Sequence, residues 1–308
     1  MHFLLARMPF IRRPFYQLEL ARRERDRALL ERDFAIKGRD ELKLKLEDAA
    51  APKASSPSSN TATSEPSPQR LCVFCNKEVD AWLPFRIRAS DISDFLIRVE
   101  TVGSNVERFS CPHCWSTDRE RHLRLFLERL RIMESIRGGS VLHMAPEGRL
   151  REYIQSSDFT LYVMGDLAPS DDSVQRIDLQ HIPFSDETFD LVICNHVLEH
   201  VADAGAALGE IHRVLKPGGR AICQTPFARH LTNTLEDPLL QSMDDRLFFY
   251  GQEDHIRLFG SDIERFFRGA GFTGRLVPHV EILPDVDPER LGINEKEPFF
   301  DFVRNPSE

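Results

Sequence analysis

The sequence predicts an α/β chain: a doubly wound, mostly parallel sheet, preceded by a small cysteine ribbon and an N-terminal helix. Three observations carry this. From residue 140 onward, short apolar runs alternate with helical patterns, as in a parallel sheet covered on both faces. Two Cys-x-x-Cys pairs stand ahead of that region, and a charge-dense stretch stands ahead of the cysteines. The 308 residues leave room for one full α/β domain and added modules.

In chain order, the first segment is residues 1–48. Arg-Asp recurs at Arg25-Asp26, Arg32-Asp33 and Arg39-Asp40, and the same period aligns Ala21, Ala28, Ala35 and Leu42, with Leu29 and Ile36 beside them. Arg25, Arg32 and Arg39 occupy what would be the second seam of a coiled coil, and Gly38 weakens the helix. The expectation is a solvated helix that pairs weakly with a helical partner. Residues 49–69, AAAPKASSPSSNTATSEPSPQ, hold almost no large apolar side chain to offset ordering entropy and read as a disordered linker.

Residues 70–117 contain Cys72-x-x-Cys75 and Cys111-x-x-Cys114. A two-residue gap lets both thiolates of a pair reach one tetrahedral ion, and two such turns complete a four-sulfur set. A single pair would also suit redox chemistry, and a disulfide set fits a reducing compartment poorly. The expectation is a structural Zn2+ held by Cys72, Cys75, Cys111 and Cys114, with no position left open for water. His113 and His122 read as surface imidazoles, and Cys194 and Cys223 as core thiols.

Residues 118–290 form the main domain. Its first helix is capped by Ser116 or Thr117, with Asp118 and Glu120 in the first turn. Leu123, Phe126, Leu127, Leu130, Met133 and Ile136 share one face, and Gly138-Gly139 ends it. Strands are expected near 140–145, 159–164, 174–179, 190–196 and 220–227. The helix before the last carries Val201, Ala204, Leu208, Ile211 and Leu215 on one stripe and stops at Lys216-Pro217-Gly218-Gly219. Residues 228–260 are long for a connection and hold Phe248, Phe249 and Tyr250 beside Asp244, Asp245, Glu253 and Asp254, which suggests an acceptor lid. The plainer alternative is that these aromatics pack the insertion onto the sheet. Residues 291–308 read as a C-terminal tail.

Charge narrows the partners. The net charge is −9, with +3 on residues 1–48, +2 on 70–131 and −14 on 132–308. An acidic main domain grips a polyanion poorly, so nucleic acid is disfavoured. No apolar run reaches the roughly 20 residues of a membrane span. Arg7 breaks the first apolar stretch, which argues against a secretory signal, so a cytoplasmic location is expected.

In open α/β sheets ligands sit at the carboxyl ends of the strands. There the sequence offers 145–147, Asp166, Asp178 and 195–197. Asp166 follows the first strand by about twenty residues, where such folds place a carboxylate for ribose hydroxyls, and Asp178 suits an adenine amino group. The alternative for each carboxylate is a helix cap or a solvated loop.

These motifs resemble class I S-adenosylmethionine-dependent methyltransferases of the type 11-like kind, with a Rossmann-like sheet. The stretch RIDLQHIPFSDETFDLVICNHVLEHV, the LKPGG before the next strand, and the zinc ribbon ending CPHCWSTDRERH carry the likeness, with VLHMAPEGRL and GQEDHIRLFG. It spans roughly residues 70–275 and points to a bacterial, zinc-ribbon-preceded branch whose first motif reads LHxAPE. Several such proteins accompany surface-glycan synthesis. The resemblance implies cofactor contacts at His143, Ala145, Glu147, Asp166, Asp178, Leu179 and Asn195. Relatives carry an acidic residue and three glycines where this chain has His143, Ala145, Glu147 and Arg149. Glu147 would meet the cofactor's ammonium group, and the missing G-x-G-x-x-G argues against a nicotinamide enzyme. A base is needed only for a weak nucleophile such as a hydroxyl, and His196 and His255 are the candidates. His200 reads as structural. The leading expectation is methyl transfer to a small polar or glycan-related acceptor. The competing readings are a non-catalytic scaffold that retains the fold, which the altered first loop favours, and a zinc-ribbon nucleic-acid binder, which the charge opposes.

Overall fold

The computed structural model describes residues 69–85 and 92–305. The expected helix of residues 1–48 lies outside the described residues, as does the linker apart from residue 69.

Two short antiparallel strands, β1 (Arg70–Leu71) and β2 (Glu78–Val79), flank the first cysteine pair. The chain then leaves the ribbon. Helix α1 (Asp94–Arg98) buries Leu96, and β3 (Thr101–Val102) pairs antiparallel with Phe227–Ala228. The segment between the two knuckles therefore draws its core from a distant part of the chain, and not from a metal alone.

Helix α2 (Asp118–Arg129) opens on a capping box: Thr117 Oγ1 accepts from Glu120 N and Glu120 Oε2 from Thr117 N. The expected continuous helix breaks at Arg131, which takes a left-handed φ of 52°. The chain restarts as α3 (Ile132–Ser135), and both Ile132 and Met133 turn into the core, which a straight helix would not allow. His122 is also not a surface group. It is buried, its Nε2 2.8 Å from His279 Nδ1, with its ring against Phe126.

Alternation then follows: β4 (Ser140–Met144), α4 (Gly148–Gln155), β5 (Leu161–Asp166), β6 (Gln175–Arg176), β7 (Phe189–Cys194), α5 (Ala204–Val214), β8 (Leu215–Ile222) and β9 (Phe227–Ala228). Next come α6 (Met243–Tyr250), α7 (Ile263–Gly269), β10 (Phe272–Val277), α8 (His279–Ile282), α9 (Pro288–Leu291) and β11 (Phe299–Arg304). The main sheet runs β10-β11-β8-β7-β4-β5-β6, with β8 to β6 parallel and β11 antiparallel to both neighbours. This is the Rossmann-like, mostly parallel sheet read from the sequence, and strand order reverses between β4 and β7.

Period-two alternation splits the core. Leu142, Met144, Val192 and Cys194 pack with Leu208 and Ile211 of α5 and Phe267 of α7, while Val141, Leu191 and Ile193 pack with Phe126 and Leu127 of α2 and Leu150 and Ile154 of α4. At LKPGG the helix stops at Leu215, and β8 begins five residues earlier than expected, through a bulge against β7. Gly218 supplies the φ of +80° there, and a Cβ on Gly219 would strike the Lys216 carbonyl.

Two further expectations change. The strand expected over 174–179 shrinks to β6, although Val174, Ile177 and Leu179 still bury. The C-terminal segment is no tail. FFDFVR becomes β11, inserted between β8 and β10, because burying Phe299, Phe300 and Phe302 on the two faces of the sheet outweighs leaving them in water.

Burial and the neighbouring His122 hold His279 down, to about 4, against the weaker opposing charge of Glu295. A histidine depressed on folding stabilises the fold in full above its unfolded value of about 6.5, and that contribution is lost as pH falls from there through about 4. His279→Gln should therefore lose less stability than the wild type between about pH 7.5 and about pH 5. Urea midpoints of both proteins test this; parallel losses would place the acid sensitivity elsewhere.

Candidate functional site

The register brings three strand ends into one row. Met144 pairs with Gly165 on one side and Cys194 on the other, so Ala145, Asp166 and Asn195 follow side by side at the carboxyl edge. Arg176 pairs with Asp166, which sets Asp178 two residues past the end of the outer strand. Asp166 Oδ1 accepts from Ala168 N at 2.7 Å, and the next residue, Leu167, exposes its apolar side chain. Sequence reasoning passed over Leu167; an apolar side chain left exposed beside a strand-end carboxylate was the available signal. Asp178 is engaged locally, by Gln180 N at 2.9 Å and by His181 Nδ1 at 3.6 Å, and Leu179 is buried in the core.

The first loop departs from a glycine turn yet takes a glycine's conformation. Ala145 has φ +46° and donates its N–H to the Gly165 carbonyl. Beneath it, His143 is fully buried between Tyr162 Oη and Glu147 Oε2, 2.9 Å from each. Glu147 Oε1 also accepts from Asn195 Nδ2 at 3.2 Å, and Asn195 Oδ1 accepts from Gln224 N. Burial opposes ionisation of Glu147, but the bond and charge of His143 outweigh it and hold the carboxyl below its ordinary range. Burial pushes the Tyr162 phenol up. Glu147 thus joins the first and fourth strand ends of the parallel set.

The loop is also anchored from the ribbon side. Glu120 Oε1 accepts from Arg149 N and Leu150 N at the start of α4, and Arg149 Nε donates to the Cys114 carbonyl. The four thiols converge, each within 4.8 Å of the others, with Cys72–Cys114 at 3.6 Å and Cys75–Cys111 at 3.9 Å. Sulfurs about 2.3 Å from one tetrahedral ion stand about 3.8 Å apart, so the set suits zinc. The residues after the two pairs, Asn76 and Trp115, share a left-handed turn. His113 is exposed and no part of the cluster.

Beyond β7 lies a buried polar group. His196, at φ +53°, has its Nδ1 3.5 Å from Glu199 Oε1 and its Nε2 3.8 Å from Glu297 Oε1, and neither nitrogen has a hydrogen-bond partner. His255 Nε2 lies 3.9 Å from the same Glu199 oxygen. Burial disfavours the Glu199 anion, but the adjacent His196 imidazole and the charges of His255 and His200 outweigh it and hold the carboxyl at about 2. Burial pushes the His255 imidazole down. Glu199 went unnoticed in the sequence because VLEHV reads as a helix start. The expected lid is instead folded down: Tyr250 is buried, Phe249 packs edge-on against Phe95, and Arg257 of GQEDHIRLFG bonds the carbonyls of Leu198, Val201 and Ala202 and both oxygens of Glu236.

Residues 154–223 match a family model described as a methyltransferase domain, which bears out the likeness drawn from these strands. The chain is 34% identical over 112 residues to a ubiquinone/menaquinone biosynthesis C-methyltransferase of Desulfotalea psychrophila, covering 32% of this chain and 46% of that one. It is 48% identical over 50 residues to a demethylmenaquinone methyltransferase of Lactiplantibacillus plantarum, covering 16% and 21%. The chain therefore spans less than half the length of these curated relatives. A solved S-adenosylmethionine dependent methyltransferase from Mesorhizobium loti is 15% identical, with a TM-score of 0.37 over 58% of this chain and 96% of that one.

An alanine held at positive φ is strained relative to glycine by about 1 kcal/mol. Ala145→Gly should raise unfolding free energy by about that amount, read from denaturant melts. A loss of stability would show that the alanine methyl makes packing contacts that outweigh the strain.

Proposed function

From a chain that carries a methyltransferase domain match over residues 154–223, we infer an S-adenosylmethionine-dependent methyltransferase with a structural zinc centre. One observation carries the reading: the matched strands β5 and β7 end in Asp166 and Asn195, in one row with Ala145 of β4, at the point where strand order reverses.

The residues fit the cofactor. Asp166 keeps one carboxylate oxygen uncommitted for a ribose diol, and exposed Leu167 beside it gives an adenine ring an apolar face. Asp178 and Leu179 would border the adenine. The left-handed turn at Ala145 lets backbone approach a ligand closely, with His143 and Asn195 bracing Glu147 as the anion nearest an ammonium group. When bound, S-adenosylmethionine supplies an electrophilic methyl on a sulfonium. The protein's part is to align and desolvate the acceptor. His196, with two unpartnered buried nitrogens beside ionised Glu199, is suited to take the acceptor's proton, and Glu199 to steady the imidazolium that results. His255, deeper and bonded to the Tyr250 carbonyl, is the second candidate.

A small polar or glycan-related acceptor is the finer proposal, supported by the acidic rim of Glu253 and Asp254 next to half-buried His200. The names of the curated relatives point to a quinone ring instead, and a phenolic precursor would need the same base. A non-catalytic binding role is the second reading, favoured by the departure of the 143–149 loop from a glycine turn.

Calorimetric titration with S-adenosylmethionine tests the main reading. Saturable one-to-one binding is expected, weakened at least about tenfold by Asp166→Ala, the loss of a charged hydrogen bond. Unchanged affinity in that variant would remove Asp166 from the site, and no binding at millimolar cofactor would leave the scaffold reading. Turnover on sugars and phenols then separates the acceptors.

The cysteine centre has its own test. The purified chain should hold zinc that a mercurial thiol reagent releases, and Cys72→Ser with Cys75→Ser should abolish that fraction. Zinc-free protein with normal stability would rule out a structural ion.

A further inference from the structure

Among the described residues a second cluster has metal-ligating chemistry, away from the cysteines: Glu199, His200 and His255 each offer a ligand atom within 4.8 Å of the other two. We propose that these three residues bind a divalent transition-metal ion of the zinc class.

Proton positions carry the argument. His255 Nδ1 lies 2.9 Å from the Tyr250 carbonyl and His200 Nδ1 lies 3.2 Å from the Asp254 carbonyl. A carbonyl only accepts, so each ring's proton sits on Nδ1 and each Nε2 presents a lone pair. Glu199 Oε2 receives the Thr225 hydroxyl at 2.7 Å, while Oε1 has no hydrogen-bond partner. Two acceptors, Glu199 Oε1 and His255 Nε2, therefore face each other in side chains only 2% and 3% exposed, and the nearby His196 Nδ1, 3.5 Å from that oxygen, makes no hydrogen bond to it. Such an arrangement is costly unless a cation joins it.

A further proton on His255 would bridge at about 2.8 Å, and the observed spacing is 3.9 Å. Ligands held about 2.0 to 2.2 Å from one tetrahedral ion stand about 3.3 to 3.6 Å apart, so side-chain movement of a few tenths of an ångström brings this pair onto one ion. Two partners are those that metal ligands usually take: the Tyr250 carbonyl on His255 Nδ1 and the Thr225 hydroxyl on the second carboxylate oxygen.

Two imidazoles and a carboxylate leave coordination positions open, unlike the four-thiolate centre. His200, about a third exposed, gives the ion a route from solvent. On the methyl-transfer reading, on which this role rests, the open position would receive an acceptor oxygen beside His196.

The test uses the full chain and zinc alone, without cofactor or acceptor, so its result is independent of transfer activity. Zinc is titrated calorimetrically once the thiolates are saturated, and thiol-released zinc is counted against the total. The wild type should bind one further zinc that a mercurial does not release. Glu199→Gln and His255→Gln should lose that ion and keep the thiol-released one, and Thr225→Val, which preserves shape, should weaken it about tenfold or more. A wild type with no zinc beyond the thiol-released fraction overturns the proposal without recourse to any variant. So does a Glu199→Gln protein that keeps the second ion at wild-type affinity.

Discussion

The carboxylate of Glu120 is the constraint on which the rest of the described structure most depends. It accepts from Thr117 N at the start of α2 and from Arg149 N and Leu150 N at the start of α4, so one buried anion satisfies orphan donors of two helices. Both helices belong to the layer that covers one face of the sheet. Arg149 then reaches the Cys114 carbonyl, and Arg121, buried against Trp82, bonds the carbonyls of Ser116, Arg108 and Gly292. The cysteine module is thus continuous with the strand-end loop it precedes. A metal that orders the knuckle would also set the angle at which residues 145–149 leave the sheet.

A second guanidinium plays the matching part on the opposite edge. Arg257 binds three consecutive-turn carbonyls near 198–202 and the Glu236 carboxylate, and so locks the insertion onto the connection that carries Glu199 and His200. Guanidinium suits this role because its planar fork meets several acceptors at once and stays charged when buried. Its neighbour His255 is delivered to Glu199 by the same attachment, with Ile256 N bonding the Glu199 carbonyl. The buried polar cluster is a product of two segments more than fifty residues apart, each held by backbone bonds.

Much of this was legible in the sequence because its cause is local. Period-two apolar runs give β4, β5 and β7 their faces, Thr117 and Glu120 write a capping box, and two equal cysteine gaps foretell that four thiols converge. The strand-end carboxylate Asp166 could be placed by spacing, since a parallel β-α-β unit has nearly fixed length. What escaped were residues whose partners lie far along the chain. His122 reads as an exposed helix position until His279 arrives to cover it, and Glu199 reads as part of a helix start until His255 is brought against it.

By itself, then, the sequence determined the sheet, its alternation with helices, the cysteine centre and the row of polar strand ends, all of which follow from repeats within a few tens of residues. Tertiary structure alone decided that FFDFVR is an antiparallel strand between β8 and β10, that Phe249 and Tyr250 of the insertion pack inward while Phe248 stays exposed, and that Glu199 meets His196, His200 and His255. The physical reason is common to the three. Burial of apolar surface is non-directional, so the pattern says that a segment must be covered, and only the assembled chain says by what.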